Sequence, residues 1–470
     1  MRSILYTFAL FFLPVSSIFS QQQFAGHWNG KLNVGAKALA IVFNVTASGD
    51  TLTATLDSPD QGAMGINVRS VSVAGDSIFF DIKIIGASYA AKYIAEGDSA
   101  RLTGKFKQSA YSFDLTCTRS EKAFTLNRPQ EPKPPFPYFG EEVEFENKTA
   151  GVKFSGTFTR PKEGNRFPAV ILVTGSGPQD RDESLFGHKP LAVIADHLTR
   201  NGFAVLRYDE RGVGKSTGIY SEATTMDFTL DAIEAVKYLK SRSDVDSSRT
   251  GIIGHSEGGV VAPMAAAIFP GVNFIVMLAG LGVPGDELML MQYRAVMESE
   301  SAPESKIEKQ LIFNRELFEI VKSETDSAKF FAAADDLIAE FQKVLTPEEK
   351  EIPDFKPETL RNMLKIVNTK WFRYFINTDP KEYLAKVRAP VLALNGTKDI
   401  QVPYRENLAA IEKSLKAAGN KNYKTVPLEG LNHLFQKCGK CSIEEYGKLE
   451  ETFNEAALKE ISGWMAGITK

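Results

Sequence analysis

The 470-residue sequence is poor in the residues that bind metals or build disulfide frameworks, with five histidines and three cysteines. Two of the cysteines, Cys438 and Cys441, flank a Gly-Lys pair, and a zinc site there would need two further ligands. We therefore predict no metal site. In an oxidising compartment the spacing favours a local disulfide, with two free thiols as the alternative. A redox role would require a thioredoxin-like βαβ pattern, which is absent.

Clusters of positive charge are also missing. Lys and Arg total 55 against 58 Asp and Glu, for a net charge of −3, and no long basic run occurs. Binding to a phosphate backbone requires clustered Lys and Arg, so nucleic acid is excluded as a partner. Residues 212–216 read Gly-Val-Gly-Lys-Ser, but a phosphate loop would need glycine at 209, where Asp209 stands. We interpret residues 207–218 as a charged structural turn.

Long apolar runs are confined to the first twenty residues. Arg2 is followed by a mostly apolar stretch over residues 4–19, and the small Ser20 precedes three glutamines. This order is typical of a cleaved export signal. An uncleaved membrane anchor is the alternative, which the shortness of the run and its interruptions disfavour, and no later segment is long enough to span a bilayer. We therefore expect a signal peptide at residues 1–20 and a periplasmic or secreted mature protein with no membrane span.

The chain length predicts two or three domains, and the first has a β pattern. Residues 21–126 alternate polar and apolar positions in short runs separated by turn residues, at 38–45, 51–56, 66–73, 77–84 and 100–106. Such runs predict a small all-β domain, a sandwich or a barrel. Its Gly26-His27-Trp28 opening resembles the Gly-x-Trp start of lipocalin-like barrels. Residues 127–140 contain five prolines, which predicts a semi-rigid linker.

From residue 141 to 470 the pattern is α/β. A strand pair is predicted at 141–145 and 152–158, followed by strands at 169–173, 203–208, 250–254, 274–278, 391–394 and 423–427. Helices are expected at 190–200, from Thr224 to residue 241, and from 443 to the end. This alternation predicts a doubly wound, mostly parallel sheet. Residues 284–385 are helical and charged without a strand candidate, so we expect an inserted helical cap there.

A Gly-x-Ser-x-Gly pattern stands at residues 254–258, directly after a predicted strand and before a predicted helix. A sharp strand-to-helix turn raises such a serine above the sheet and places it at a helix N-terminus, which favours developing negative charge. The context predicts that Ser256 is a nucleophile.

A serine hydroxyl needs a base to take its proton. In folds where the nucleophile stands at such a strand-to-helix turn, the catalytic residues follow the chain order Ser, acid, His. His433 is the only histidine after Ser256. We therefore predict His433 as the general base, with His188 as a minor rival. Asp399 follows the strand at 391–394 and is predicted to orient His433. Asp286, after the preceding strand, is the alternative acid.

A tetrahedral intermediate needs N–H donors for its oxyanion. We predict the backbone N–H groups of Glu257, the residue after the nucleophile, and of Ser176, in the glycine-rich loop after the strand at 169–173. Trp371 and Phe372 are predicted to roof a substrate pocket, with plain core packing as the alternative.

Together these segments resemble the α/β-hydrolase superfamily, in particular its secreted bacterial esterases and serine-aminopeptidase-like members. The matching stretches are residues 175–182, 207–212, 254–258, 395–399 and 432–433. The resemblance implies a carboxylesterase for small short-chain acyl esters, acting through an acyl-enzyme without a cofactor, often with an N-terminal β-domain. It leaves the natural substrate open.

Two other functions stay open. One is a peptidase of the same fold, in which Glu298, Glu300 or Glu304 of the cap would dock a peptide terminus. The other is a protein whose β-domain binds a glycan or acyl ligand.

Overall fold

The computed structural model describes residues 21–34, 37–49, 51–61, 63–96, 99–109, 111–122 and 127–470. The predicted signal peptide lies outside these residues. The chain divides into two units, Met1–Asn127 and Arg128–Lys470. Within the described ranges, no helix combines the length and apolar character that a bilayer span would require.

The described part of the first unit is a single curled antiparallel sheet of nine strands, in the order β4-β3-β2-β1-β9-β8-β7-β6-β5. Alternate side chains face one apolar core, in which Trp28, Phe43 and Tyr89 are almost completely buried. The all-β character predicted for this region is therefore confirmed. The strands are β1 Gly26–Val34, β2 Lys37–Ser48, β3 Thr51–Ser58, β4 Ala63–Asn67, β5 Ser70–Ala74, β6 Ser77–Ile82, β7 Ala87–Glu96, β8 Ser99–Gln108 and β9 Tyr111–Ser120.

One predicted strand of this unit is wrong. The run at 66–73 was expected to be continuous, but β4 ends at Asn67 and β5 begins at Ser70. The two strands lie at opposite edges of the sheet. Local alternation continues across the break, so the polar and apolar pattern alone does not reveal it.

The second unit, all of which is described, contains an eight-stranded sheet in the order β10-β11-β13-β12-β14-β15-β16-β17. The pairs β10–β11 and β11–β13 are antiparallel, and all the others are parallel. The doubly wound, mostly parallel sheet predicted for this region is therefore confirmed. The strands are β10 Phe139–Asn147, β11 Val152–Arg160, β12 Phe167–Val173, β13 Ala204–Tyr208, β14 Val245–His255, β15 Phe274–Leu278, β16 Val391–Gly396 and β17 Tyr423–Leu428.

Helices cover both faces of this sheet. Apolar side chains of α1 and α13 pack on one face, and those of α2, α3 and α11 pack on the other. Thr224 and Asp227 form the predicted capping box at the start of α2. The helices are α1 Pro190–Arg200, α2 Thr225–Ser241, α3 Gly258–Ile268, α4 Gly285–Ser299, α5 Glu304–Ser323, α6 Ser327–Val344, α7 Pro347–Lys350, α8 Pro357–Val367, α9 Lys370–Ile376, α10 Lys381–Leu384, α11 Tyr404–Ala417, α12 Ile443–Tyr446 and α13 Glu455–Ile468.

The segment between β15 and β16 contains helices α4 to α10 and no strand. These helices share a hydrophobic cluster that includes Phe313, Phe330 and Phe355. The same cluster includes Val260 of α3 and Leu281, so the helical segment packs on the end of the sheet where β14 meets α3.

The predicted continuous helix from residue 443 to the end is also wrong. Helix α12 ends at Tyr446, and α13 begins only at Glu455. The guanidinium of Arg128 donates to the carbonyl oxygens of Gly447 and Leu449, each at 2.7 Å. These carbonyls are therefore held by a side chain from more than 300 residues earlier rather than by helical bonds.

Candidate active site

Ser256 lies at the turn between β14 and α3, in the nucleophile elbow, residues 254–258. Its φ is +53°, in the left-handed region that non-glycine residues rarely adopt. Glycines make this turn possible: a Cβ at Gly254 would lie 1.9 Å from the Gly258 carbonyl oxygen, and one at Gly258 would lie 2.4 Å from that of Val173. The Ser256 N–H donates to Leu278 at the end of β15, at 2.8 Å. The strained turn is thus fixed to the neighbouring strand.

His433 lies in the loop after β17, at residues 430–436, which we call the general-base loop. Its Nδ1 lies 2.8 Å from Oδ2 of Asp399, and both side chains are buried. The other oxygen of Asp399 accepts the backbone N–H groups of Gln401 and Val402, each at 2.8 Å. The carboxylate is therefore immobilised through both oxygens, and Nε2 is the ring nitrogen of His433 left for proton transfer.

The two rival residues lie elsewhere. Asp286, at the start of α4, pairs with Lys322. His188 is buried and bonded to Thr452 and to the carbonyl oxygen of Tyr446. Burial lowers the pKa of His188 to about 4, so its ring is neutral at ordinary pH. The structure therefore gives neither residue a place beside Ser256.

Ser256 and His433 line one cavity of about 340 Å³, beneath the helical segment. The apolar part of its wall comes from both the sheet end and the helices. Its lining residues are Gly175, Ser176, Gln179, Glu183, Leu185, Phe186, His255, Ser256, Glu257, Leu281, Leu288, Met289, Gln292, Trp371, Phe375, Gln401, Val402, His433, Leu434 and Ile443.

The loop after β12, residues 174–179, packs directly against the elbow, and we call it the oxyanion loop. A Cβ at Gly175 would lie 3.2 Å from the Cβ of Ser256, a tighter contact than most side chains make, so glycine favours this approach. Within residues 128–470, the N–H groups of Ser176 and Glu257 donate to no protein acceptor. Both residues line the cavity. Two unpaired N–H groups beside a serine hydroxyl are what an oxyanion hole requires.

Sequence reasoning missed the carboxyl groups that hold the oxyanion loop. Glu210 accepts the Thr174 hydroxyl at 2.6 Å and the Gln179 N–H at 3.1 Å. Glu183 accepts the Gly175 N–H at 2.6 Å. Burial, assisted by the nearby charges of Glu257 and Glu183, raises the pKa of Glu210 to about 8, although the hydrogen bonds from Thr174 and Gln179 oppose this shift. Nothing in the sequence distinguishes these acids from solvated loop residues.

Glu257 contributes a second group to the site through its side chain. Its Oε1 accepts the Thr225 hydroxyl at 2.7 Å and the indole N–H of Trp371 at 2.8 Å. The side chain is 3% exposed, and burial raises its pKa. The residue after the nucleophile therefore connects the elbow to α2 and to the helical segment.

The two predicted pocket aromatics have different places. Trp371 lines the cavity and stacks on Phe375, with ring centroids 5.3 Å apart. Phe372 does not line it; its ring packs against Phe318 in the core of the helical segment. Residues 371 and 375 share one face of helix α9, whereas residue 372 points to another. Phe375 therefore takes the place predicted for Phe372.

The acidic residues proposed to dock a peptide terminus also lie outside the cavity. Glu298 and Glu304 pair with Arg294 at exposed positions, and Glu300 is exposed as well.

The predicted local disulfide is present: Cys438 and Cys441 are bonded to each other, directly after the general-base loop. Cys117 is a buried free thiol of the first unit.

In comparisons with known proteins, the matching family and the relative described here are both hydrolases. The sequence model of the X-Pro dipeptidyl-peptidase (S15 family) matches residues 150–426. The esterase EstD of Thermotoga maritima is 28% identical over 383 residues, which are 81% of this chain and 82% of EstD.

Two solved structures are also similar. Est1E of Butyrivibrio proteoclasticus with bound ferulic acid is 18% identical, covering 69% of this chain and 98% of that one, with a TM-score of 0.40. The Pyrococcus furiosus esterase Pf2001 is 17% identical, covering 73% and 99%, with a TM-score of 0.44. Likeness at these TM-scores does not bear on substrate or mechanism.

Proposed function

The chain belongs to the X-Pro dipeptidyl-peptidase (S15) family of hydrolases, and we propose that it is a serine hydrolase. We further propose that its substrates are carboxylic esters with short acyl chains. One observation carries this proposal. Ser256, strained at a nucleophile elbow, shares a cavity with His433, whose ring is held by the immobilised carboxylate of Asp399.

In the first half-reaction, Ser256 Oγ attacks the ester carbonyl carbon while Nε2 of His433 takes the hydroxyl proton. Asp399 holds the ring in the required tautomer and stabilises the imidazolium. The oxyanion accepts hydrogen bonds from the N–H groups of Ser176 and Glu257. The tetrahedral intermediate then collapses, and the alcohol leaves with the proton from His433, giving the acyl-enzyme.

In the second half-reaction, water attacks the acyl carbon and His433 takes a proton from it. A second oxyanion forms in the same place and collapses. The Ser256 oxygen leaves as a hydroxyl by regaining the proton from His433, and the carboxylic acid is released. Each step uses only groups of the chain and water, so the proposed reaction needs no cofactor.

The size and lining of the cavity support a short acyl chain. Its 340 Å³ is near the lower end of the range for small-molecule sites. Leu281, Leu288 and Phe375 supply apolar wall beside Ser256. The similarity to EstD over most of both chains supports ester over amide substrates.

A peptidase is the second candidate, and the family description favours it. A peptide amino terminus would need a free acidic group in the cavity. The two carboxyl groups that line it are Glu183 and Glu257, and both accept hydrogen bonds from the protein itself. An ester substrate does not require a free acidic group in the cavity, so ester hydrolysis is the function that we propose first.

Turnover of p-nitrophenyl esters from acetate to long chains, beside aminoacyl anilides, tests the proposal. We expect fast cleavage of short esters, blocked by a fluorophosphonate, and slow cleavage of anilides. Ser256→Ala should lower kcat by roughly 10⁴-fold or more, whereas Ser241→Ala, at an exposed end of α2, should leave it unchanged. Substantial esterase activity in Ser256→Ala would refute the mechanism, and anilide cleavage at comparable rates would favour the peptidase.

We also propose that the protein is exported to the periplasm or secreted and that its first unit is lipocalin-like. The export proposal rests on the sequence of residues 1–20 alone. Mass spectrometry of the protein from its native cell envelope or medium should find a mature chain that begins at Gln21. A chain that retains residues 1–20 would contradict it.

A further inference from the structure

We propose that Glu183 and His255 are positioning residues, a buried ion pair that holds the oxyanion loop, the nucleophile elbow and the general-base loop in register. The inference rests on the proposed serine-hydrolase function and assigns a role to two residues that the proposed reaction does not use.

The contacts of His255 connect all three segments. His255 is the second residue of the elbow, adjacent to Ser256. Its Nδ1 lies 2.8 Å from Oε1 of Glu183, and its Nε2 lies 3.0 Å from the backbone carbonyl oxygen of His433. The same Oε1 accepts the N–H of Gly175, at 2.6 Å. One chain of three hydrogen bonds therefore runs from the oxyanion loop through the elbow to the general base.

The partners fix the protons on His255. The His433 carbonyl oxygen only accepts hydrogen bonds, so Nε2 of His255 carries a proton. Nδ1 faces a carboxylate and donates to it when Glu183 is ionised. Burial by itself lowers the pKa of His255, but the charge of Glu183 and the hydrogen bonds offset this and raise it. Nδ1 of His255 and Oε1 of Glu183 therefore share one proton, and the raised pKa of His255 favours the imidazolium–carboxylate form, which has no net charge.

The surroundings of the pair support this assignment. Glu183 is 1% exposed and His255 is 5% exposed. Apart from Glu183, the titratable groups that face His255 are His433, with ring centroids 4.9 Å apart, and Asp399 behind it. Apolar side chains also surround the pair, among them Phe435, Leu191 and Ile194. A buried charge without a partner would be costly, so the two groups depend on each other.

The position of the pair explains what it would do for catalysis. Stabilisation of an oxyanion depends on N–H groups fixed at the right distance, and an error of about 1 Å can cost roughly 10²-fold in rate. The Ser176 N–H lies one residue from the Gly175 N–H that Glu183 holds. Loss of the pair would break the connections of Gly175 and of the His433 backbone to the elbow at the same time, while the bonds of Glu210 to the oxyanion loop would remain.

Three single variants separate the bonds of the network. Glu183→Gln keeps an acceptor for Gly175 but removes the charge. His255→Gln keeps a donor near the Nε2 position, and His255→Asn keeps one near the Nδ1 position. For each we expect kcat on p-nitrophenyl acetate to fall roughly 10- to 100-fold with KM changed less than about threefold. The double variant Glu183→Gln/His255→Gln should lose little more than either single variant, because the two residues act as one unit.

Asp244→Asn is the matched control. Asp244 immediately precedes β14, whose other end is His255, and it pairs with Arg160 and Arg242. This control also removes a charged partner of arginine side chains, but beside the far end of the same strand, so it should lower the melting temperature without changing kcat. Equal kcat losses in the control, or wild-type kcat in a folded Glu183→Gln protein, would overturn the proposal.

The rate of covalent labelling by a fluorophosphonate tests the positioning proposal independently of the proposed ester substrate. Labelling requires an activated Ser256 and its oxyanion donors but no ester or peptide recognition. If the wild-type protein labels quickly yet cleaves no ester, the substrate assignment fails and the positioning proposal is still measured by the labelling rates of the variants. Labelling at the wild-type rate in Glu183→Gln would overturn the positioning proposal alone.

A measurement on the wild-type chain covers the case in which the variants do not fold. In nitrogen-15 spectra of the histidine-labelled protein, we expect one imidazole that keeps both ring nitrogens protonated to a higher pH than an ordinary histidine does. The absence of such a ring would contradict the ion pair.

Discussion

At the scale of single residues, the catalytic unit is distinguished by buried acids around one short loop. Glu183, Glu210 and Glu257 are each less than 9% exposed, although glutamate is rarely buried without a partner. Glu183 and Glu210 accept hydrogen bonds from the oxyanion loop itself, and Glu257, in the elbow that packs against this loop, accepts them from Thr225 and Trp371. A loop with so little apolar side-chain surface has few other means of being fixed. The acids therefore define its geometry through polar contacts.

The unusual pKa of Glu210 predicts a pH dependence of stability. Its ordinary value is 4.5, and burial raises it to about 8 in the folded protein. Between these values the folded protein holds a proton that the unfolded chain releases, so the free energy of unfolding falls as pH rises, by up to about 1.4 kcal/mol per pH unit from this group. In Glu210→Gln this contribution disappears. Urea denaturation at pH 5, 6, 7 and 8 should give a flatter profile for the variant than for the wild type.

Other buried acids contribute to the same wild-type profile, so the difference between the two proteins is the quantity to examine. Glutamine keeps the shape of the side chain and still pairs with Thr174 or Gln179. Parallel profiles for wild type and variant would mean that Glu210 is ionised in the folded protein at pH 5.

At the scale of elements, helix α9 presents two neighbouring aromatics to different surroundings. Trp371 faces the cavity, and Phe372 faces the core of the helical segment. Trp371→Leu should enlarge the cavity enough to bury roughly two more CH₂ groups of a long acyl chain, at about 0.8 kcal/mol each, and so raise the kcat/KM ratio of octanoate to acetate esters by about tenfold.

Phe372→Leu is the matched control for this change. It should leave the chain-length ratio unaltered and lower the free energy of unfolding by on the order of 1 kcal/mol through imperfect packing. A shifted chain-length preference in Phe372→Leu, with none in Trp371→Leu, would contradict the geometry of α9.

The disulfide between Cys438 and Cys441 predicts an effect on stability with little effect on chemistry. It closes a very short loop, for which chain entropy gives roughly 2 kcal/mol. His433 is held independently through Asp399. In a Cys117→Ala background, which removes the free thiol, Cys438→Ser/Cys441→Ser should lower the melting temperature and keep kcat within about twofold. A large loss of kcat would show that the disulfide maintains the general-base loop.

Strands and helices whose positions depend on neighbouring residues could be predicted from the sequence. Boundaries that depend on contacts with distant residues could not. The buried strands β12 and β15 are nearly continuous apolar runs, and the capping box of α2 is a local pattern. The interruption between α12 and α13 depends on Arg128 and Gln130, which bind its backbone from the start of the unit. No window around residue 450 contains that information.

The residues of the candidate site also differ in whether the local sequence predicts their roles. Ser256, Asp399 and His433 stand in sequence contexts that indicate their chemistry, and their catalytic roles stay predictions. Glu183 and Glu210 have no such context, because their importance comes from backbone N–H groups and hydroxyls that only the fold brings near. For His255 the sequence indicated an elbow position and gave no sign of its two partners.

At the scale of the whole molecule, each unit has a hydrophobic core of its own. The first unit packs its apolar side chains inside one curled sheet, and the second has clusters on both faces of the α/β sheet. The family match begins at residue 150 and therefore lies wholly in the second unit. All residues assigned to the candidate active site also belong to that unit.

Separate cores predict two calorimetric unfolding transitions, since a unit with its own core can unfold as its own cooperative block. Unfolding enthalpy scales with residue number, and residues 128–470 are roughly three times as many as residues 21–127. The larger transition should therefore carry about three-quarters of the total enthalpy. A fluorophosphonate bound to Ser256 fills the cavity of the second unit alone, so it should raise the melting temperature of the larger transition and leave the smaller one in place. A single transition containing the whole enthalpy, or equal shifts of both, would mean that the two units unfold together.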